Sequence, residues 1–148
     1  MTQEDKELLL KDLCARLPYG LIIQVSDWTP LDTELKVGHI SRLMNEDLKI
    51  KPYLRPMSSM TEEEKKELLV TIVGNDGVKY FQVLSDGSID NTDATVQDLN
   101  KFNMHWVNFD KDTVTLYIDW LNKNMFDYRG LIEKGLAIEV TENNPYKE

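Results

Sequence analysis

Residues 48–55 read LKIKPYLR, from Leu48 to Arg55. Leu48, Ile50, Pro52 and Leu54 share one parity, while Lys49, Lys51, Tyr53 and Arg55 share the other. That two-residue period belongs to a strand with one buried and one wet face. Pro52 cannot donate to a ladder, so the strand is expected at a sheet edge.

Working upstream, Leu21 to Ser26 is rich in β-branched residues and reads as a strand. Leu35 and Val37, alternating with Glu34 and Lys36, read as another. Ile40 falls on the opposite parity after Gly38, where a bulge is expected. Ahead of these, Thr2 is placed to cap a helix whose stripe is Leu10, Leu13, Cys14 and Leu17, with Leu9 beside it. Glu4 and Asp5 at its start and Arg16 at its end suit the helix dipole, and Pro18 and Gly20 stop it.

Downstream, Thr61 and Glu64 have capping-box spacing, and a helix is expected to about Leu69; beyond it Ile72 and Val73 either continue the stripe to Gly74 or belong to strands turning around Asn75, Asp76 and Gly77. The segments MTQEDKELLL and MTEEEKKELL agree at six of ten positions. Shared helix-initiation chemistry explains this echo more economically than duplication. Tyr80 to Leu84 reads as a strand turning at Asp86 and Gly87. Asp93 to Phe102 reads as a short helix carrying Val96 and Leu99, and residues 104–109 fit either type. Asp112 is expected to cap a long helix with Val114, Tyr117, Ile118, Leu121 and Met125 on one stripe and Leu116 and Trp120 beside it.

In NMFDYRGLIEKGLAIEV, Asn124 to Val140, Asp127 reads as an N-cap with Phe126 and Leu131 as a hydrophobic staple. Gly135 is then the left-handed C′ residue, and Leu136, Ile138 and Val140 leave as a strand. Arg129 would sit near the positive helix end, disfavoured there by about 0.3–1 kcal/mol. Two accounts are open: a salt bridge to a carboxylate of this acidic chain with Tyr128 covering the core edge, or an anion or partner carboxylate held by Arg129 and helix amides. Together the elements make one α+β domain over residues 1–148. A small curved antiparallel sheet, barrel-like at most, packs against N-terminal and C-terminal helices.

With 26 acidic and 17 basic residues the net charge is −9. General binding to nucleic acid or membrane is therefore disfavoured. One cysteine, no apolar run long enough to span a bilayer and nothing resembling a signal peptide point to the cytoplasm. Cys14 could be imagined with His39 or His105 as a nucleophile and base, but its place on the leucine stripe makes a buried structural thiol the expectation. Asn108, Asp110, Asp112 and Asp119 match a calcium-loop spacing, yet Thr113 stands where the turn needs glycine, and Asp119 where it needs glutamate. No phosphate loop, GxSxG elbow or HExxH pair occurs, and neither a cofactor nor a metal is expected.

Between Glu34 and Arg55 five basic residues face three acidic ones, against the trend of the chain. Lys49, Lys51, Tyr53 and Arg55, with Lys36 and Arg42 nearby, either guard an edge strand or dock an acidic partner. The candidate partner-binding set is therefore Lys49, Lys51, Tyr53, Arg55, Tyr128 and Arg129.

The stretches MTQEDKELLLKDLCARLPYG, KPYLRPMSSMTEEEKKEL and DWLNKNMFDYRGLIEKGLAIE resemble a set of small uncharacterised proteins of gut Bacteroides and their phages and mobile elements. The resemblance brings no activity and no site residues; it implies an accessory cytoplasmic protein. The function expected is non-catalytic binding to another protein. Its rivals are an acidic decoy that occupies a nucleic-acid enzyme and an enzyme with an unfamiliar constellation.

Overall fold

A computed structural model describes residues 1–26, 29–45, 49–91 and 111–146. In chain order the elements are α1 (Gln3–Arg16), β1 (Ile22–Ser26), β2 (Pro30–Glu34), α2 (Val37–Asn45), β3 (Lys49–Leu54), α3 (Glu62–Gly77), β4 (Phe81–Val83), β5 (Ile89–Asn91), α4 (Lys111–Lys123) and β6 (Ile138–Glu139). The architecture is α+β. Packing divides it into two compact units, Met1–Pro56 with Asn122–Glu148, and Met57–Leu121.

In the first unit the Thr2 hydroxyl accepts from the Asp5 amide at 3.0 Å, and the Asp5 carboxylate accepts from the Thr2 amide at 3.3 Å, closing a capping box. The buried stripe of α1 is Leu9, Asp12, Leu13 and Arg16. It lies about one position back from the expected stripe, so Cys14 is exposed and the buried-thiol expectation is corrected. The rotation is possible because Asp12 and Arg16, four residues apart, neutralise each other on the inward face.

The sheet has the order β2-β1-β3-β6. β1 is antiparallel to both β2 and β3, with Gln24 opposite Asp32 on one side and Lys51 on the other. β6 joins β3 in parallel, pairing Tyr53 with Ile138, so the sheet is mixed rather than antiparallel, and it stays open rather than closing into a barrel. The corrected position of β3 is internal. Its Leu54 carbonyl accepts from Val140 N at 2.8 Å. By the two-residue alternation the Pro52 nitrogen faces that same flank, one step before β6 begins, and no ladder bond is lost.

β2 ends at Glu34, and Val37–Asn45 is helix, which corrects both the strand expected over 34–37 and the bulge at Gly38. Ile40 and Leu43, three apart, are its buried residues. Lys36 N donates to His39 Nδ1 at 3.0 Å, so the histidine serves the reciprocal role in initiating α2. Leu9, Leu13, Ile23, Ile50, Leu54 and Leu131 belong to one core cluster in this unit. Tyr146 bridges two of its strands: its hydroxyl accepts from Ile22 N at 3.0 Å and donates to the Tyr53 carbonyl at 2.8 Å. Burial pushes this phenol up to about 12.

In the second unit Thr61 and Glu64 form the expected capping box. α3 passes the expected stop at Leu69 because Ile72 and Val73 are also buried, and it runs to Gly77 across a kink at Gly74, φ 76° and ψ 171°. β4 and β5 form a hairpin turning at Asp86 and Gly87, where Asp86 Oδ1 accepts from Ser88 N and Oγ at 2.9 and 2.6 Å. These bonds hold the Asp86 carboxyl below its usual range. Asp112 lies within the first turn of α4 rather than capping it. Trp120 Nε1 donates to Glu67 Oε1 at 3.2 Å. The expected helix over Asp93 to Phe102, residues 104–109 and Leu48 lie outside the described residues. Among the described residues no helix is long and apolar enough to cross a membrane.

Candidate functional site

The turn after α4 begins at Met125, whose φ of 62° redirects the chain. Arg55 N donates to the Met125 carbonyl at 2.7 Å and Asp127 N to the Arg55 carbonyl at 2.8 Å, so Phe126 pairs in parallel with Arg55. The Arg55 guanidinium stacks 4.2 Å from the Phe126 ring centroid. The short helix expected after Asp127 is reduced to one turn, because Gly130 takes φ 75° and delays the coil. Asp127 therefore caps farther on: Oδ1 accepts from Leu131 N at 2.9 Å and Oδ2 from Ile132 N at 2.8 Å. The exit is as expected. Gly135 N donates to Ile132 O and Leu136 N to Leu131 O, the two bonds of a Schellman motif, with Gly135 at φ 73°.

This turn delivers Tyr128 and Arg129 to the buried polar pair of α1. Arg16 grips Asp12 with two bonds, Nε to Oδ2 at 2.9 Å and Nη2 to Oδ1 at 3.1 Å, and both side chains are fully buried. Arg16 Nη2 also donates to the Phe126 carbonyl at 2.6 Å. Arg129 Nε stands 3.2 Å from Asp12 Oδ1 with its side chain 16% exposed, but its N–H is not aimed at that oxygen. Arg129 Nη2 donates to the Tyr128 hydroxyl at 2.8 Å, which donates to Asn122 Oδ1 at 2.9 Å. Both guanidinium carbons lie near the Tyr128 ring, at 5.4 Å for Arg16 and 4.8 Å for Arg129.

The cluster thus joins two cations to one anion. At an effective dielectric of about 20, Arg129 gains roughly 5 kcal/mol from a carboxylate at 3.2 Å, and the like charge of Arg16 on the same oxygen takes part of that back. Desolvation of a buried ion costs several kcal/mol and offsets that gain. Arg16 is a fully buried anchor, whereas for Arg129 the opposing contributions are of similar size, and little net stability is expected from it. Arg16 Nη1 and Arg129 Nε have no hydrogen-bond partner among the described residues.

The sheet face is differently arranged. Lys49 and Lys51 are exposed, on the stretch of β3 that β6 does not reach, where they also guard the unpaired flank. Tyr53 donates to Asp32 Oδ1 at 2.8 Å and accepts from Gln24 Nε2 at 3.3 Å, a row across three strands. Partial burial, then Asp32, raises this phenol. Lys36 pairs with Glu34. The six candidate residues therefore fall into the outward lysine pair, the tied Tyr53, Arg55 stacked on Phe126, and the joined pair of Tyr128 and Arg129.

Asp12, Arg16 and Asn122 were not among the sequence candidates; the four-residue spacing of Asp12 and Arg16 was their one local signal. His39 is engaged in starting α2, and His105 and Asp110 lie outside the described residues. No group of three or more His, Cys, Asp or Glu side chains among the described residues could hold a metal ion. In the second unit a cavity of about 360 Å³ is lined by Ser88, Ile89, Val114, Tyr117 and Ile118. The Tyr117 hydroxyl donates to the Gly87 carbonyl at 2.6 Å, and burial, then Asp86, raises it. No family model, curated protein or solved structure matches the chain.

Proposed function

We propose that the protein binds an acidic protein partner without catalysis, and that the first unit is the binding surface. One observation carries the proposal, the uneven distribution of charge. Of the 17 basic residues 12 lie in the first unit, against 14 of the 26 acidic ones, so this unit is close to neutral while the second carries most of the −9. Within it Lys49 and Lys51 project from the sheet, and the Arg129 corner adds a cation near the surface. Such local patches steer encounter and set specificity against the repulsion of an acidic whole. The resemblance to proteins of Bacteroides phages and mobile elements extends the proposal to an accessory role in the cytoplasm.

Affinity purification from the native cell, with bound proteins identified by mass spectrometry, tests this reading. Lys49→Glu with Lys51→Glu is expected to lose the specific partner while keeping the wild-type circular dichroism. Retention of the same partner at wild-type yield counts against it.

A further inference from the structure

We infer that the corner formed by Arg16, Tyr128 and Arg129 is a carboxylate-binding site, and that an acidic group of the partner occupies it. The inference rests on the partner-binding reading above and adds the chemical group recognised.

Arg16 Nη2 and Arg129 Nε approach one and the same oxygen, Asp12 Oδ1, at 3.1 and 3.2 Å. Two guanidinium charges therefore share a single carboxylate charge. Arg16 Nη1 and Arg129 Nε are buried without a hydrogen bond among the described residues, Arg129 Nε having only its ionic contact with Asp12. Buried donors are nearly always matched, and an unmatched pair on adjacent cations marks a place for an acceptor that brings negative charge. The Arg129 side chain keeps 16% of its exposure while Arg16 keeps none, so Arg129 is the point of entry.

Preorganisation supports the same reading. Tyr128, held by Asn122, accepts from Arg129 Nη2 and flanks both guanidinium groups, which limits the freedom Arg129 loses on binding. A held planar fork suits a planar two-oxygen ligand, and an ammonium could not reproduce it. A neutral ligand would leave the charge excess in place, and a metal cation would increase it.

The test follows the Arg129 Nε–Hε resonance of ¹⁵N-labelled full-length protein during titration with sodium acetate, against sodium chloride at equal ionic strength. A saturable shift specific to acetate is expected, and the affinity read from the Arg16 Nε–Hε and backbone amide resonances, which both proteins have, should fall at least tenfold in a folded Arg129→Lys variant. No acetate-specific shift overturns the inference, and so does inorganic phosphate binding tenfold more tightly than acetate. A short peptide rich in Glu should bind at least tenfold more tightly than acetate, and its Gln counterpart should not compete. Equal affinity for acetate and the Glu peptide overturns the partner-borne origin. Absence of the acetate shift, with partner capture still lost in Lys49→Glu/Lys51→Glu, defeats this inference and leaves the binding reading standing. The opposite pair of results defeats the binding reading.

Discussion

Replacing Asp12 by alanine removes the only carboxylate in contact with two arginines among the described residues. Asp12 accepts two bonds from Arg16 and an ionic contact from Arg129, all at 3.2 Å or less, with no exposure of its own side chain. After truncation Arg16 remains fully buried, with the Phe126 carbonyl as its described acceptor. Breaking a buried pair from one side typically costs about 3–5 kcal/mol, because the surviving charge has neither solvent nor counter-ion. Domain stabilities are about 5–15 kcal/mol, so a loss of this size brings the first unit close to unfolding. Asp12→Asn keeps the shape and one acceptor oxygen, and an intermediate loss of roughly 2 kcal/mol is expected. Asp12→Leu with Arg16→Met should recover at least about 2 kcal/mol over Asp12→Ala, since the two costs are coupled rather than additive. The assay is urea unfolding combined with amide hydrogen exchange at Leu9, Leu13 and Ile23, which reports this unit alone. A loss below about 1 kcal/mol for Asp12→Ala would refute the reasoning, since it would mean that Arg16 finds water or another partner at no cost.

Tyr146→Phe should destabilise the first unit by about 1–3 kcal/mol, because one hydroxyl serves both the Ile22 amide and the Tyr53 carbonyl. Since the folded phenol is raised to about 12 from an ordinary 10, its stabilisation is complete below pH 10 and fades as pH rises towards 12. Urea unfolding at pH 8, 10 and 11 should therefore show a shallower decline in Tyr146→Phe than in the parent, and identical slopes would contradict it. Gly74→Ala should cost the second unit about 1–3 kcal/mol through backbone strain alone, as φ 76° and ψ 171° are open only to glycine and, among the described residues, nothing beyond its chain neighbours and its own helix backbone lies within 4 Å of the added Cβ. An unchanged urea midpoint would show that the kink relaxes freely. Cys14, exposed on α1, should react with Ellman's reagent in native buffer within a few-fold of its rate in urea and without loss of helicity; protection of a hundredfold would restore the buried thiol.

The features legible in the sequence are those written in short spacings. Thr61 with Glu64 places a helix start, the alternation around Pro52 gives both faces of β3, and Gly135 with Leu136 gives the Schellman exit. The phase of α1 was misread for a physical reason. Taken singly, Asp12 and Arg16 count against burial, whereas as an i,i+4 pair they present little net charge to the core. α2 escaped because Gly38 resembled a bulge and His39 is an unusual cap, and the turn at Asp127 slipped because Gly130 adopts φ 75°. The meeting of Asp12 with Arg129 was beyond local reading, since it joins the first helix to a turn near the other end of the chain. The sequence raised a cation without an evident purpose at Arg129; the fold supplied the second arginine that makes the excess.

The stability of Arg129→Met in chloride buffer at neutral pH tests the central claim most directly. Met keeps much of the packing on Tyr128 and removes the charge. If Arg129 is the surplus cation of the cluster, its attraction to Asp12, its repulsion by Arg16 and its desolvation nearly cancel, and the unfolding free energy of the first unit should change by no more than about 0.5 kcal/mol. A loss of about 2 kcal/mol or more would contradict the claim, because Arg129 would then be a structural partner of Asp12 with no charge to offer a ligand.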